Sequence, residues 1–171
     1  MNYADIKKVD VANGEGVRVS VFVSGCHHHC KGCFNECAWD FGYGNKFDED
    51  AKEKVINYMN HDYIKGLSLL GGEPLEPSNQ EGLLPLVKEV KEKFPDKTIW
   101  CYTGYDFQKD IVDGMNKTNP TTKELLKYID VVVDGKFDEN QKSPKLRFRG
   151  SANQRILDAQ ETIKEDKPVE I

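Results

Sequence analysis

The chain has 171 residues, within the span of one ordinary domain and long enough to bury a hydrophobic core without disulfides. Its 24 Lys and Arg against 29 Asp and Glu leave a formal charge of −5, which argues against a sequence-independent grip on a nucleic-acid backbone. No apolar run approaches the roughly 20 residues of a membrane-spanning helix, so a single soluble, cytoplasmic domain over residues 1–171 is expected, with neither nucleic acid nor membrane as partner.

In chain order, Met1 to Asp10 is polar and charged. Val17 to Val23 (V-R-V-S-V-F-V) alternates in the manner of a strand and is ended by Ser24 and Gly25. A cysteine-rich loop follows. Asp48 is placed as N-cap of a helix whose apolar positions Ala51, Val55 and Met59 share one face, ending near His61. Gly66 to Leu70 is a short apolar strand that runs into Gly71-Gly72-Glu73-Pro74, where regular structure stops. Ser78 and Glu81 have capping-box spacing before a helix buried through Leu83, Val87, Val90 and Phe94, with Pro85 expected to kink it or delay its start. Thr98 to Tyr102 is a third strand, Asp106 to Met115 and Thr121 to Tyr128 are helical, and Ile129 to Val133 is a fourth strand. This alternation predicts an α/β fold with a parallel sheet and functional residues on loops at the carboxyl ends of the strands. Beyond Gly135 the chain is polar and basic, and no repeat, linker or low-complexity segment interrupts it.

Five cysteines are present, an odd number, and Cys26, Cys30 and Cys33 fall within eight positions, which suits a metal site in a reducing compartment better than a disulfide framework. Their C-x3-C-x2-C spacing can wrap one side of a compact metal cluster while closing only two very short loops. Three thiolates on a [4Fe-4S] cube leave one iron without a protein ligand, the open position reactivity requires. A structural zinc site with Cys37 as fourth thiolate, and thiol redox chemistry through Cys30 and Cys33, stay open as alternatives. His27, His28 and His29 read as a polar cover over the metal, and Gly32 with Phe34 as a tight turn beside whatever it binds. In the second loop, Gly71 and Gly72 expose backbone for close approach and Glu73 adds a carboxylate able to hold an ammonium group.

With both loops in view, the chain resembles the radical S-adenosylmethionine superfamily, and within it the activating proteins of anaerobic ribonucleoside-triphosphate reductases. The resemblance rests on N-G-E-G-V-R (Asn13 to Arg18), S-G-C-H-H-H-C-K-G-C-F-N (Ser24 to Asn35), Trp39-Asp40 and L-L-G-G-E-P-L (Leu69 to Leu75). It continues through Trp100 to Tyr105, V-D-G-K-F (Val133 to Phe137) and R-F-R-G-S-A-N-Q-R (Arg147 to Arg155). It implies a partial, open TIM-type (β/α) barrel with a mostly parallel sheet, whose open side admits a loop of a large protein substrate. It also implies that Cys26, Cys30 and Cys33 hold the cluster and that S-adenosylmethionine occupies the fourth iron. Gly72 and Glu73 would hold its amino end, Gly32, Cys33 and Phe34 would line it, and Thr103 and Asp134 would meet the remainder. The implied reaction is reductive cleavage of S-adenosylmethionine, fed by a flavodoxin-like electron donor, and formation of a glycyl radical on the large subunit of the reductase. Arg147, Arg149 and Arg155, with Lys136, Lys142 and Lys145, are candidates for docking that partner on an otherwise acidic molecule.

Overall fold

The computed structural model describes residues 1–171 and shows a mixed α/β architecture around one seven-stranded sheet. The strands are β1 Asn2–Asp10, β2 Val17–Val23, β3 Asn45–Lys46, β4 Ile64–Gly71, β5 Thr98–Tyr102, β6 Val131–Asp134 and β7 Arg155–Asp158, in the order β3-β1-β2-β4-β5-β6-β7. The pairs β2–β4, β4–β5 and β5–β6 are parallel, whereas β1 joins β2 and β3, and β7 joins β6, antiparallel. The sheet is open, with β3 and β7 at its edges. The predicted parallel arrangement therefore holds for the central strands, and the antiparallel margins are an addition.

The helices are α1 Glu49–Met59, α2 Pro77–Lys93, α3 Asn116–Thr118, α4 Pro120–Leu126 and α5 Ala159–Glu165, with Phe107–Met115 wound as a π-helix leading into α3. None is long and apolar enough to cross a membrane. Asp48 caps α1 as expected, its carboxylate accepting from the Ala51 amide at 2.9 Å. For α2 the expectation is corrected. Glu76 is the N-cap, Pro77 takes the first turn where a missing N–H costs nothing, Ser78 lies inside the helix, and Pro85 sits within it without delaying its start.

Side-chain alternation gives the sheet two different faces. Val19, Val21 and Val23 of β2, Leu67 and Leu69 of β4, Ile99 and Cys101 of β5 and Val132 of β6 join residues of α1, α2, the π-helix and α4 in the main core. The opposite set carries Arg18, Ser20 and Phe22, Ser68 and Leu70, Trp100 and Tyr102, and Val131 and Val133, and the smaller cluster on it is capped by Phe148 rather than by a helix. Arg18 is buried in this face without a carboxylate partner. Its guanidinium donates to Ser68 Oγ at 2.8 Å, Thr98 Oγ1 at 3.0 Å and the carbonyls of Glu15, Leu67 and Thr98, and burial pulls its pKa down to about 10. The helix-free face is the floor of the site.

Candidate active site

Four loops converge at the carboxyl ends of β2, β4, β5 and β6, where a parallel sheet presents its ligand sites. The first two need glycine. Gly25 has φ +103° and faces the Phe41 ring, and Gly71 has φ +116° with the Val23 carbonyl where a Cβ would stand. The chain can thus turn sharply out of β2 and β4. The turned loops are then tied together, with the Glu73 amide donating to Gly25 O at 2.8 Å and the Asn79 amide group donating to Ser24 O at 3.0 Å and Glu73 O at 2.9 Å.

Glu73 is fully buried, and its carboxylate ties together the loops after β2, β4 and β5. Oε1 accepts from the Gly104 amide at 2.7 Å and meets His28 Nε2 at 2.8 Å; Oε2 accepts from Thr103 Oγ1 at 2.8 Å and from the Leu75 amide at 2.9 Å. Since a carboxylate oxygen with the Gly104 amide on it acts as acceptor, His28 Nε2 is assigned as the donating nitrogen. The flanking histidines are fastened as well. His27 Nδ1 lies 3.1 Å from Glu76 Oε1, and His29 stacks on Trp39 with ring centroids 4.4 Å apart and planes 6° off parallel. All three rings are thus braced, but His27 and His29 are exposed and only His28 reaches the cavity that the cysteines line. Tyr105, beside His28 and donating to Glu76 at 3.3 Å, has its phenol pushed up by burial and by the Glu76 and Glu73 charges.

Cys26, Cys30 and Cys33 line one cavity of about 600 Å³, together with Gly72, Glu73, Thr103 and Phe34. This volume lies in the range of roughly 300–1,000 Å³ usual for cofactor sites. Phe22, Leu70, Tyr102 and Val133, from the helix-free face, form its floor. Burial pushes the Cys26 thiol up to about 11. No three Cys, His, Asp or Glu side chains are gathered tightly enough to hold a single metal ion. Cys37 is exposed and does not line the cavity.

The polar inventory of the cavity tests whether a cofactor fits. Three buried polar side-chain atoms in the molecule lack a partner, and two of them, Trp39 Nε1 and Tyr102 Oη, belong to cavity residues. Buried polar groups are normally satisfied, so this lining is complementary to a polar guest, and its soft thiol donors are those an iron–sulfur cluster takes. The residues fit the group.

Two of the residues expected around the cofactor are placed elsewhere. Gly32 has φ +74°, as its tight turn predicts, but is turned toward Glu139 rather than into the cavity. Asp134 is 1% exposed and does not line the cavity: it accepts from the Phe107 amide at 2.8 Å and from Arg155 Nε and Nη2 at 3.0 and 2.6 Å. That pairing also removes Arg155 from the free basic surface. Sequence reasoning gave no role to Trp39, Tyr102, Glu76 or Asn79, and it missed the 136–154 segment as a wall, where Phe137, Lys142, Leu146, Phe148 and Arg149 line the cavity.

The family described as a 4Fe-4S single cluster domain matches residues 12–157. Over 158 residues, 91% of this chain, the sequence is 48% identical to an anaerobic ribonucleoside-triphosphate reductase-activating protein of Haemophilus influenzae, covering 97% of that protein. Similarity of 44% over equal lengths extends to the proteins of the same name from Pasteurella multocida and Vibrio cholerae, of which 96% and 97% are covered. The chain belongs to this family of activating proteins. As an activating protein of that family it carries an iron–sulfur cluster domain, and the cysteine loop described above lies inside the matched region. The match ends at Leu157, one residue short of the end of β7, and α5 lies beyond it.

Proposed function

We propose that this chain activates an anaerobic ribonucleoside-triphosphate reductase as a radical S-adenosylmethionine enzyme, working in the cytoplasm with a flavodoxin-like electron donor. The observation that carries the reading is the single cavity in which Cys26, Cys30 and Cys33 meet the Gly72-Glu73 loop and two unpartnered polar atoms. When bound, the reduced [4Fe-4S] cluster and S-adenosylmethionine supply one-electron cleavage of the cofactor's carbon–sulfur bond, and with it a hydrogen-abstracting carbon radical. Cys26, Cys30 and Cys33 hold the cluster as thiolates and leave one iron for the cofactor. Gly72 offers its backbone to the amino end. Glu73, with Thr103 and His28, fixes the geometry of three loops around that end, so that the reacting atoms are held in register. Cys33 and Phe34 line the cofactor, Gly32 shapes their turn, and Asp134 acts through its pair with Arg155 at the foot of the 136–154 segment.

In this reading the open sheet is a partial barrel of TIM type, and its unclosed side admits the glycine-bearing loop of the reductase's large subunit. The apolar floor excludes water from that encounter. The exposed cations Lys142, Lys145 and Arg147 are the docking candidates, with Arg149 at the cavity wall. The direct test is anaerobic incubation of the loaded protein with the reductase large subunit and S-adenosylmethionine, read by electron paramagnetic resonance. A glycyl-radical doublet on the reductase, lost with Cys26→Ala, Cys30→Ala or Cys33→Ala, is the expected result. An intact cluster that cleaves S-adenosylmethionine but yields no doublet would point to a different substrate for the same chemistry.

A further inference from the structure

Trp39 has an unspent hydrogen-bond donor beside the cysteine loop. It ends a short 3-10 helix, Glu36–Trp39, that the backbone fixes against the start of that loop: the Gly25 amide donates to Ala38 O at 2.7 Å and the Cys26 amide to Trp39 O at 3.1 Å. His29, between Cys26 and Cys30, lies flat on the indole. The ring is therefore held from its backbone and from one face. Its Nε1 is buried and has no acceptor, although Trp39 lines the same cavity as the three cysteines. An acceptor for an indole N–H must lie near the ring plane, so the stacked His29 cannot serve. The neighbouring Asp40 carboxylate accepts from the Gly42 amide at 2.8 Å and is exposed.

Resting on the function proposed above, we infer that Trp39 donates its indole N–H to a sulfur of the iron–sulfur cluster and thereby eases the cluster's reduction. The anionic sulfurs of a cluster held by Cys26, Cys30 and Cys33 are the acceptors this cavity would bring to the loop that Trp39 braces. A donor aimed at sulfur stabilises the more electron-rich state, which is one of the ways a protein sets the potential of such a centre. One electron enters from the external donor, no bond is made or broken at Trp39, and its proton stays on nitrogen. Trp39 is a positioning and tuning residue in this account, not a catalytic one.

Trp39→Phe keeps an aromatic ring able to stack on His29 and removes the donor together with part of the fused ring. The measurement is a potentiometric titration of the reconstituted cluster followed by electron paramagnetic resonance, with iron and sulfide counted in both proteins, first without and then with S-adenosylmethionine. The expected result is a midpoint moved to more negative potential without the cofactor, with the ratio of reduced to oxidised cluster falling about tenfold at a fixed potential, or about 59 mV for a one-electron couple. Equal midpoints in two fully loaded proteins would overturn the inference. A shift seen only with S-adenosylmethionine would also overturn it, by moving the acceptor onto the cofactor. Should Trp39→Phe fail to load, wild-type protein labelled with ¹⁵N-tryptophan decides: the reduced cluster should show hyperfine coupling to an indole ¹⁵N, and its absence overturns the inference. The other tryptophan, Trp100, does not line the cavity. A wild-type protein that takes up no cluster would instead defeat the underlying reading.

Discussion

The Glu73 carboxylate carries four hydrogen bonds inside the protein, and this changes what a substitution there should do. Glu73→Gln replaces an acceptor-only group by one whose amide presents hydrogens to donors, leaving buried groups unsatisfied at about 1–3 kcal/mol. Urea unfolding of the cluster-free protein should show that loss; a midpoint equal to wild type would mean that Glu73 serves only a ligand. The Cys-x3-Cys-x2-Cys and Gly-Gly-Glu-Pro signals were legible because each is contiguous. The partners of Glu73 were not, since His28 precedes it by 45 residues and Thr103 follows by 30, and only the parallel sheet brings their loops together. Asp10 supplies a second prediction. Burial alone would raise its pKa, but hydrogen bonds from Ser20, Asn13 and the Ala12 amide outweigh that and hold the carboxyl below its ordinary value. Its contribution to stability is then complete above the unfolded value of about 3.9 and is lost as pH falls through the lower folded value. Stability measured against pH should fall less steeply below about pH 4 in Asp10→Asn than in wild type, relative to each protein's own value at neutral pH.

Among elements, β2 and β5 were predicted to their observed bounds because each alternates between two buried faces over a run of β-branched and aromatic residues. β6 starts two residues later than expected, at Val131, because Ile129 closes the turn after α4 and packs into the core from there. β1 was unrecognised as a strand. Most of its residues are half-buried or exposed, so its polar sequence lacks the apolar alternation that marks a strand. β7 shares that difficulty, with Leu157 its only buried residue. The elements that matter most to the site are β2 and β4, whose facing residues Val21 and Leu69 sit side by side under the two loops. Leu69→Ala, in the fully buried core, should cost about 2–5 kcal/mol by chemical denaturation. Gly71→Ala would force a left-handed residue and a Cβ onto the Val23 carbonyl, so reconstitution should give markedly less bound iron than wild type even at temperatures where the protein stays folded.

The whole molecule is acidic, yet Lys142, Lys145 and Arg147 are exposed on the segment that walls the cavity. Lys145→Glu with Arg147→Glu should slow activation of the reductase and flatten its salt dependence, while unchanged rates across salt would end the docking proposal. The alternation of strands and helices indicated the α/β architecture and the motifs its metal, but the wall itself was hidden in a polar stretch whose aromatic residues, Phe137 and Phe148, gain meaning only from the Phe34 and Trp100 rings they meet. The central claim is that three cysteines at the end of β2 hold a cluster that uses S-adenosylmethionine. It is tested most directly by anaerobic reconstitution and dithionite reduction, with electron paramagnetic resonance recorded with and without the cofactor and 5′-deoxyadenosine measured in parallel. The account predicts a reduced-cluster signal that changes when S-adenosylmethionine is added, and 5′-deoxyadenosine that disappears in Cys26→Ala, Cys30→Ala and Cys33→Ala but persists in Cys37→Ala. A protein that retains zinc, or a cluster indifferent to S-adenosylmethionine, would contradict it.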